Sequence, residues 1–274
     1  MRLAIAVGLL LACAAVPSTQ ESQAGAAPLG SFDQVLDLYV RDGFVYYRAL
    51  KSERARLDAY VASLAGASLD SSSRDEQIAF WLNAYNAFVL RTVIDHYPIT
   101  PRTAAYPQRS IRQIPGAFER MQYRAAGRMV TLDQIEQTIL AGFKDPRLFL
   151  ALGRGAVGSG RLRNEAFAPG VLERQLSEVA AECINHSQCL EVDRGGNQVS
   201  VSSIFSWRAE GFIEAYASSA SATFSARSPV ERAVLAYVEP KLTTAERELL
   251  AGNQFKVVYR PFDWTLNDLA GRAH

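Results

Sequence analysis

The stretch 73–98, SRDEQIAFWLNAYNAFVLRTVIDHYP, decides the fold of this chain. Ser73 stands three residues before Glu76, which is the spacing of a capping box at a helix start, and a proline ends the segment. The residues between them are apolar on nearly every face, so they predict a long helix buried in the centre of the molecule. Asn83 and Asn86 share one face of this helix, and buried amides need partners. We expect them to hold loops in place; the alternative is that they orient groups in a site.

Shorter elements are predicted on both sides of this helix. Apolar residues at helical spacing predict helices over 32–40 and 57–64, and residues 44–47 predict a short strand. The later predicted elements are hairpins over 121–130 and 190–201, a helix from Thr131, a buried strand over 148–152, a helix over 171–183, helices starting at Ser228 and Thr243, and a final strand over 255–259. Helices and hairpins follow one another without a βαβ rhythm. The predicted fold class is therefore α+β, with a central buried helix, several amphipathic helices and a small mixed or antiparallel sheet with hairpins.

A glycine-dense loop follows the predicted strand in the segment 145–167, DPRLFLALGRGAVGSGRLRNEAF. Glycine adopts positive φ without a steric clash, so such a loop can bring its backbone close to another group. A loop held at the end of a strand is a common place for a site. This loop carries Arg154, Ser159 and Arg163 but no cysteine, histidine or aspartate. We therefore expect a site here that lacks the usual catalytic side chains.

The loop admits three specific interpretations. Its glycines formally match a dinucleotide fingerprint, but that fingerprint needs a helix at the loop, and the residues that follow predict none. Ser159 lies between two glycines, yet a nucleophile elbow needs glycines at the positions of Val157 and Arg161. The arginines could bind a carboxylate or phosphate. Alternatively, Arg163 could pair with an acidic residue of the same segment, Asp145 or Glu165.

The composition excludes some classes of function. The chain has 274 residues, a formal net charge of +1 and 49% hydrophobic residues, which is typical of a globular protein. Nucleic-acid binding needs a basic surplus, so no nucleic-acid partner is expected. We find no internal repeat and no interior linker. Residues 31–274 are therefore predicted to form a single domain.

Residues 1–30 are predicted to be a signal peptide and a flexible tether. Arg2 precedes an apolar stretch that ends at Val16, which is shorter than the about 20 residues needed to span a bilayer. Leu10-Leu11-Ala12-Cys13 is similar to the lipobox of bacterial lipoproteins, in which the cysteine is lipidated after cleavage. The alternative is ordinary cleavage after a small residue. The predicted location is periplasmic, either soluble or lipid-anchored to the membrane through Cys13.

The two cysteines outside the leader are predicted to form a disulfide. Cys183 and Cys189 are an even pair in a chain expected to be exported to an oxidising compartment. His186 lies between them, so a metal site is an alternative, but a fourth ligand is not evident. We expect no metal and no cofactor.

Several motifs resemble the bacterial family known as domain of unknown function 547. They are FWLNAYNA at 80–87, DHYP at 95–98, LDQIE at 132–136, DPR at 145–147, LR at 162–163, IFSW at 204–207 and YRPFDW at 259–264. The resemblance runs from about Phe32 to Asp268. It implies no particular activity, because the family has none that can be transferred to this chain.

The chain departs from the family pattern at four positions of chemical interest. Gln137 and Phe149 stand where histidines are usual, and Arg154 and Ser159 stand where cysteines are usual. If relatives use cysteine and histidine as nucleophile and base, this chain cannot, because arginine is not a nucleophile and does not lose its proton. The alternative is that the family's residues are structural. We expect the four positions to cluster in space and to be catalytically inert.

Two functions are consistent with these observations. The first is a non-catalytic binding or scaffold protein of the cell envelope with a degenerate site, whose partner is an envelope protein or an anionic small molecule. The second is a hydrolase that uses Glu136, Ser159 and Arg154 in a cleft. A closed or apolar pocket near Arg154 would favour the first, and a raised carboxyl pKa in an open cleft would favour the second. The candidate pocket residues are Asn83, Asn86, Glu136, Gln137, Arg154, Ser159 and Arg163.

Overall fold

The computed structural model describes residues 29–272. The predicted signal peptide and the lipidation candidate Cys13 lie outside the described residues. About 53% of the described residues are helical and 11% are in strands, which form small sheets of two or three strands. The predicted α+β class is thereby confirmed. None of the helices in the described range is both long and apolar enough to cross a membrane.

The central helix is α4, Arg74–His96. Its capping box forms as predicted: the Ser73 hydroxyl accepts from the Glu76 amide, and the Glu76 carboxylate accepts from the Ser73 amide at 2.7 Å. Every residue from 78 to 90 is buried. A helix that is apolar on all sides is stable only when other elements surround it, and α4 accordingly forms the middle of the core.

The N-terminal elements pack beside α4. They are α1 Leu29–Tyr39, β1 Val40–Arg41, β2 Phe44–Val45, α2 Tyr47–Ser52 and α3 Ala55–Leu64. α3 and α2 lie against α4, and α1 lies against α3, where the Phe32 and Tyr60 rings stack with centroids 4.6 Å apart. β1 and β2 pair in antiparallel fashion, so the predicted short strand is confirmed in the two residues of β2.

A hairpin and an irregular helix follow α4. β3, Tyr123–Ala125, pairs in antiparallel fashion with β4, Arg128–Val130, as predicted. Thr131 caps the next helix with both bonds of a capping box. The sequence predicts one amphipathic helix here, but the α-helical part, α5, covers only Leu132–Gln134 and continues as the π-helix Ile135–Leu140. π-helical turns occur frequently at functional sites, and this one carries two of the candidate residues.

The predicted strand over 148–152 is wrong. Residues Pro146–Leu150 form a 3₁₀ helix, and the Asp145 side chain accepts a hydrogen bond from the Arg147 amide at its start. An aspartate followed by a proline is a helix-start signal, and the length of an apolar run cannot distinguish a strand from a buried helical turn. Leu148 is fully buried, so the prediction of a buried segment holds although its conformation differs.

The C-terminal half contains a mixed three-stranded sheet. β5, Leu190–Asp193, pairs in antiparallel fashion with β6, Gln198–Ser202, and β6 pairs in parallel with β7, Lys256–Arg260. The helices of this half are α6 Leu172–Ile184, α7 Ile204–Trp207, α8 Ala209–Tyr216, α9 Pro229–Val238 and α10 Thr244–Gly252. Short 3₁₀ turns cover Ile111–Gln113, Ala141–Phe143, Pro169–Val171, Ala217–Ser219, Ala222–Phe224, Glu239–Lys241 and Leu269–Arg272.

Cys183 and Cys189 lie at disulfide distance, with Cα atoms 5.2 Å apart. They connect the last turn of α6 to the residue before β5. The Cys189 amide also donates to the carbonyl of His186 at 2.8 Å, which closes the short loop between the two elements. This geometry is the one that the even cysteine pair predicts.

The glycine loop packs against the segment that follows β7. The Val157 amide donates to the Thr265 carbonyl and the Gly158 amide donates to the Asp263 carbonyl, each at 2.8 Å. A Cβ at position 158 would lie 2.7 Å from the Asp263 amide nitrogen, and one at Gly160 would collide with the carbonyl of the preceding 3₁₀ helix. Glycine is therefore required at these two positions by close contacts within the protein. The glycine-dense sequence of the loop predicts such a close approach of its backbone to another group.

Candidate functional site

A buried cluster of three charged side chains joins distant parts of the chain. Glu136 lies on the π-helix, Arg154 in the glycine loop, and Arg208 between α7 and α8. Arg154 Nη2 lies 2.7 Å from Glu136 Oε1, and Arg154 Nε donates to Glu136 Oε2 at 3.2 Å. Arg208 Nη2 lies 2.5 Å from the same Oε1 atom. The side chains of Glu136 and Arg154 are 6% and 2% exposed, so the pair is shielded from solvent.

Further hydrogen bonds surround the Glu136–Arg154 pair. The Tyr85 hydroxyl donates to Glu136 Oε2 at 3.0 Å, so both carboxylate oxygens accept hydrogen bonds. Arg154 Nη1 donates to the carbonyls of Phe149 and Leu152 at 3.2 and 3.4 Å. Burial and the nearby carboxylate raise the pKa of Tyr85 well above its usual value, so its hydroxyl keeps its proton. Arg154 thus stabilises the loop that carries it.

The charge state of Glu136 follows from its two guanidinium neighbours. Burial by itself would raise the pKa of this carboxyl, but the charges and hydrogen bonds of Arg154 and Arg208 outweigh burial and lower the pKa to about 2. Glu136 is therefore ionised at neutral pH. A general base needs a pKa near the working pH, and a carboxylate this stable in its ionised form is a poor proton acceptor.

Arg208 also connects two of the positions that depart from the family pattern. Its Nη1 donates to the Gln137 side-chain oxygen at 2.6 Å. Its guanidinium carbon lies 4.3 Å from the centre of the Phe149 ring, as a cation–π contact. The other two positions meet in the glycine loop, where the Arg154 amide donates to the Ser159 hydroxyl at 3.0 Å. Contacts through Arg208 and Arg154 thus link all four positions.

Ser159 and Glu136 line different cavities. Ser159 borders a cavity of about 250 Å³ together with Gly43, Arg161 and His186. Glu136 borders a separate cleft of about 190 Å³. No hydrogen bond joins the two side chains within residues 29–272, and the described contact of the serine hydroxyl is with a backbone amide. The geometry needed for a serine nucleophile with Glu136 as its base is not formed.

Asn83 and Asn86 hold the two ends of the glycine loop. Asn83 donates to the Phe167 carbonyl at 2.8 Å and accepts from the Phe167 amide at 2.9 Å. Asn86 accepts from the Gly153 amide at 2.8 Å and donates to the Ala151 carbonyl at 3.3 Å. Neither asparagine borders the cleft. These contacts support the interpretation that the two asparagines hold loops in place.

Arg163 is also outside the cleft. Its Nη2 lies 2.6 Å from carboxylate oxygens of Glu165 and Glu178. Of the two partners that the sequence left open, Glu165 is the one it contacts, while Asp145 pairs with Arg147 at 2.8 Å. These partners bind Nη2 of the guanidinium, while its Nε and Nη1 atoms are buried without a hydrogen-bond partner among the described residues.

The cleft beside Arg208 contains residues that sequence reasoning did not identify. Its polar wall is made by Arg112, Asp133, Gln137 and Arg208, above the Glu136–Arg154 pair, and its aromatic wall by Phe118, Trp207 and Trp264. The Arg112 guanidinium carbon lies 4.4 Å from the ring centres of both Phe118 and Trp264. In the sequence, the two tryptophans could have been identified only through the motifs of the family resemblance to which they belong. No sequence feature points to Arg112 or Arg208, because their partners are remote in sequence.

Two further cavities are larger than this cleft. One of about 630 Å³ adjoins the cleft, with which it shares the lining residues Gln137, Trp207 and Arg208. Another of about 800 Å³ lies between the end of α3 and the β3–β4 hairpin, and none of the candidate residues lines it. In the part of the chain that the structure describes, no group of three or more histidine, cysteine, aspartate or glutamate side chains could hold a metal ion.

Residues 69–184 match the family model described as Protein of unknown function, DUF547. The family resemblance is confirmed over this segment. The match begins before α4 and ends with α6, so it includes Glu136 and the glycine loop but not Arg208. Searches of curated proteins and of solved structures found no significant match.

Proposed function

We propose that this protein is an exported, non-catalytic binding protein of the cell envelope. The observation that carries the proposal is the state of Glu136, a carboxylate that borders the cleft and pairs with two of its guanidinium groups. Arg154 and Arg208 hold it ionised in a buried ion cluster, and its pKa is lowered to about 2. A hydrolase that used Glu136 as its general base would need this carboxyl group to exchange a proton near neutral pH.

The other candidate groups support the same proposal. Arg154 keeps its proton under all ordinary conditions, and its side-chain donors are bonded to Glu136 and to two backbone carbonyls. Ser159 accepts a hydrogen bond from a backbone amide and borders another cavity. A cleft remains beside Arg208, and its mixed polar and aromatic walls are typical of binding sites.

Export rests on the sequence of the leader and on the cysteine pair. The apolar stretch after Arg2 has the length of a secretory signal, and Cys13 fits lipidation. Cys183 and Cys189 lie at disulfide distance, which suits an oxidising compartment. We therefore propose a periplasmic protein, soluble or lipid-anchored.

Turnover assays test the non-catalytic proposal. The purified wild type is incubated with ester, peptide and glycoside substrates beside Arg154→Ala and Ser159→Ala, and circular dichroism checks that each variant is folded. We expect no turnover by the wild type above the buffer rate. The proposal is wrong if the wild type turns over a substrate and either variant loses that turnover while it stays folded.

Intact-mass measurement of membrane and soluble fractions tests the proposed export. We expect a mature protein that lacks the leader, and a diacylglycerol adduct on Cys13 would establish lipid anchoring. Cys13→Ala serves as the control, since it removes the only acceptor for the lipid but leaves the apolar stretch intact. A mature protein that still begins at Met1 in both fractions would overturn export.

A further inference from the structure

An exposed aromatic face lies at the mouth of the cleft. Trp207 is 44% exposed, although large aromatic side chains are usually well covered. Its ring centre lies 4.9 Å from that of Phe262 and 6.2 Å from that of Trp264, and the two indole planes differ by 20°. The packing behind it holds the Trp207 ring in place. The result is a flat, rigid and accessible apolar surface beside polar groups.

The polar wall next to this face offers both donors and acceptors. Arg112 and Arg208 border the cleft with guanidinium groups. Their Nε atoms are buried and have no hydrogen-bond partner among the described residues, so a ligand can reach these groups only through their Nη atoms. In the same range, no hydrogen bond is made by the Asp133 carboxylate, which borders the cleft. Gln137 adds an amide. A ligand that fits this wall must be able to donate and to accept hydrogen bonds.

The charges around the cleft balance. Three guanidinium groups, those of Arg112, Arg154 and Arg208, face the carboxylates of Asp133 and Glu136. A third carboxylate, that of Glu119, pairs with Arg112 at 2.5 Å. Counted with Glu119, which pairs with Arg112 but does not line the cleft, the three positive and three negative charges cancel. A ligand without a net charge therefore suits this surrounding. The arginines of the glycine loop suggest an anionic ligand, whereas the balanced charges around this cleft favour a neutral one.

We infer that the cleft binds a neutral saccharide, with one sugar ring stacked on Trp207 and its hydroxyls bonded to the wall formed by Arg208, Asp133 and Gln137. A sugar ring has an apolar C–H face and hydroxyl groups that both donate and accept. The cleft's volume of about 190 Å³ equals that of roughly six water molecules in the liquid, which admits one ring. The inference rests on the proposed non-catalytic binding function and specifies its ligand class.

The neighbouring cavity allows a longer ligand. It has a volume of about 630 Å³ and shares Gln137, Trp207 and Arg208 with the cleft. A saccharide chain whose first ring stacks on Trp207 can therefore continue past Arg208. This geometry favours an oligosaccharide over a free monosaccharide, since each additional ring adds contacts without a second loss of translational freedom.

Titration calorimetry with matched aromatic variants tests the inference. The mature protein is titrated with neutral trisaccharides of glucose, galactose, mannose and N-acetylglucosamine, and with trigalacturonic acid. We expect at least one neutral trisaccharide to bind with a Kd on the order of 0.1–1 mM. Trp207→Ala should weaken this binding by roughly 10-fold or more, and Trp207→Phe by less, because an aromatic face remains. Tyr46→Ala, at an equally exposed aromatic residue, should change it by less than about 2-fold.

Each contrary outcome has its own meaning. If no trisaccharide binds at concentrations of order 10 mM, the saccharide inference is overturned while the non-catalytic proposal stands. If only trigalacturonic acid binds, the argument from charge balance is wrong. Equal effects of Trp207→Ala and Tyr46→Ala would overturn the assigned position. Mass spectrometry of the ligand after titration shows whether the protein has cleaved the trisaccharide. Cleavage would overturn the proposed non-catalytic function itself.

Discussion

Removing the positive charge of Arg154 should destabilise this protein strongly at neutral pH. Arg154→Met keeps an unbranched side chain that is apolar and shorter than arginine, and it leaves Glu136 with one guanidinium partner in place of two. It also leaves the carbonyls of Phe149 and Leu152 without the donor that Arg154 Nη1 provides. A buried charge that loses its partner cannot recover hydration, so the cost exceeds that of losing a surface ion pair.

The magnitude can be worked from the charge state of Glu136. Its pKa falls from the ordinary 4.5 to about 2 in the folded protein. Since one pKa unit corresponds to about 1.4 kcal/mol, the ionised form is favoured by about 3 kcal/mol on folding. Removing one partner of a buried pair costs about 3–5 kcal/mol. We therefore expect Arg154→Met to lose about 3–5 kcal/mol, which lowers Tm by roughly 6–20 °C for a domain of this size.

The pH dependence has a definite sign. Because the pKa of Glu136 is lower in the folded state, its ionised carboxylate contributes stability that is fully present above about pH 4.5. That contribution is lost as the pH falls from 4.5 through about 2, where the folded state takes up the proton. The difference in stability between the wild type and Arg154→Met should therefore be larger at pH 7 than at pH 3.

Urea denaturation followed by circular dichroism at pH 7 and pH 3 measures both quantities. Arg174→Met is the matched control, because this arginine is 55% exposed and pairs with Glu178 on one face of α6. We expect the control to cost less than about 1 kcal/mol. The reasoning fails if Arg154→Met unfolds within about 0.5 kcal/mol of the wild type at pH 7, or if the difference does not narrow at pH 3.

Three further predictions concern the loop and the cysteine pair. Asn86→Ala should cost about 1–3 kcal/mol in urea denaturation, because it leaves two buried backbone groups of the glycine loop without partners; an unchanged midpoint would contradict its loop-holding role. Gly160→Ala should lower Tm by several degrees since its Cβ meets a backbone carbonyl, whereas Gly30→Ala, where nothing lies within 4 Å, should not. Non-reducing peptide mapping should link Cys183 to Cys189, and reduction should cost about 2 kcal/mol; free thiols in protein from an oxidising compartment would refute the link.

The helix starts could be predicted from the sequence because their causes are local. A capping box needs only a side chain that accepts and a second one three residues later, and the boxes at Ser73, Thr131, Ser228 and Thr243 all form. The burial of α4 could be predicted for a related reason. A helix that is apolar on every side has no face suited to water, whatever surrounds it.

Two local features were harder to predict because local signals competed. The run over 148–152 has the length and apolarity of a buried strand, but the helix start at Asp145 determines its conformation. The helix after Thr131 has ordinary amphipathic spacing, yet it becomes a π-helix from Ile135. Packing against neighbouring elements supports the π-helical conformation, and the spacing of apolar residues within one helix does not show which elements pack against it.

The sequence by itself determined most of the elements, the family resemblance over 69–184 and the segment that contains the loop. Only the tertiary structure decided the chemistry of the site. Arg154 lies 18 residues from Glu136, and Arg208 lies 72 residues from it. The attraction between opposite charges depends on their distance in space. In the protein interior it is strong enough to determine the pKa of a carboxyl group. Whether Glu136 is a proton acceptor or a fixed anion therefore depends on which arginines the fold brings to it, and no pattern of neighbouring residues contains that information.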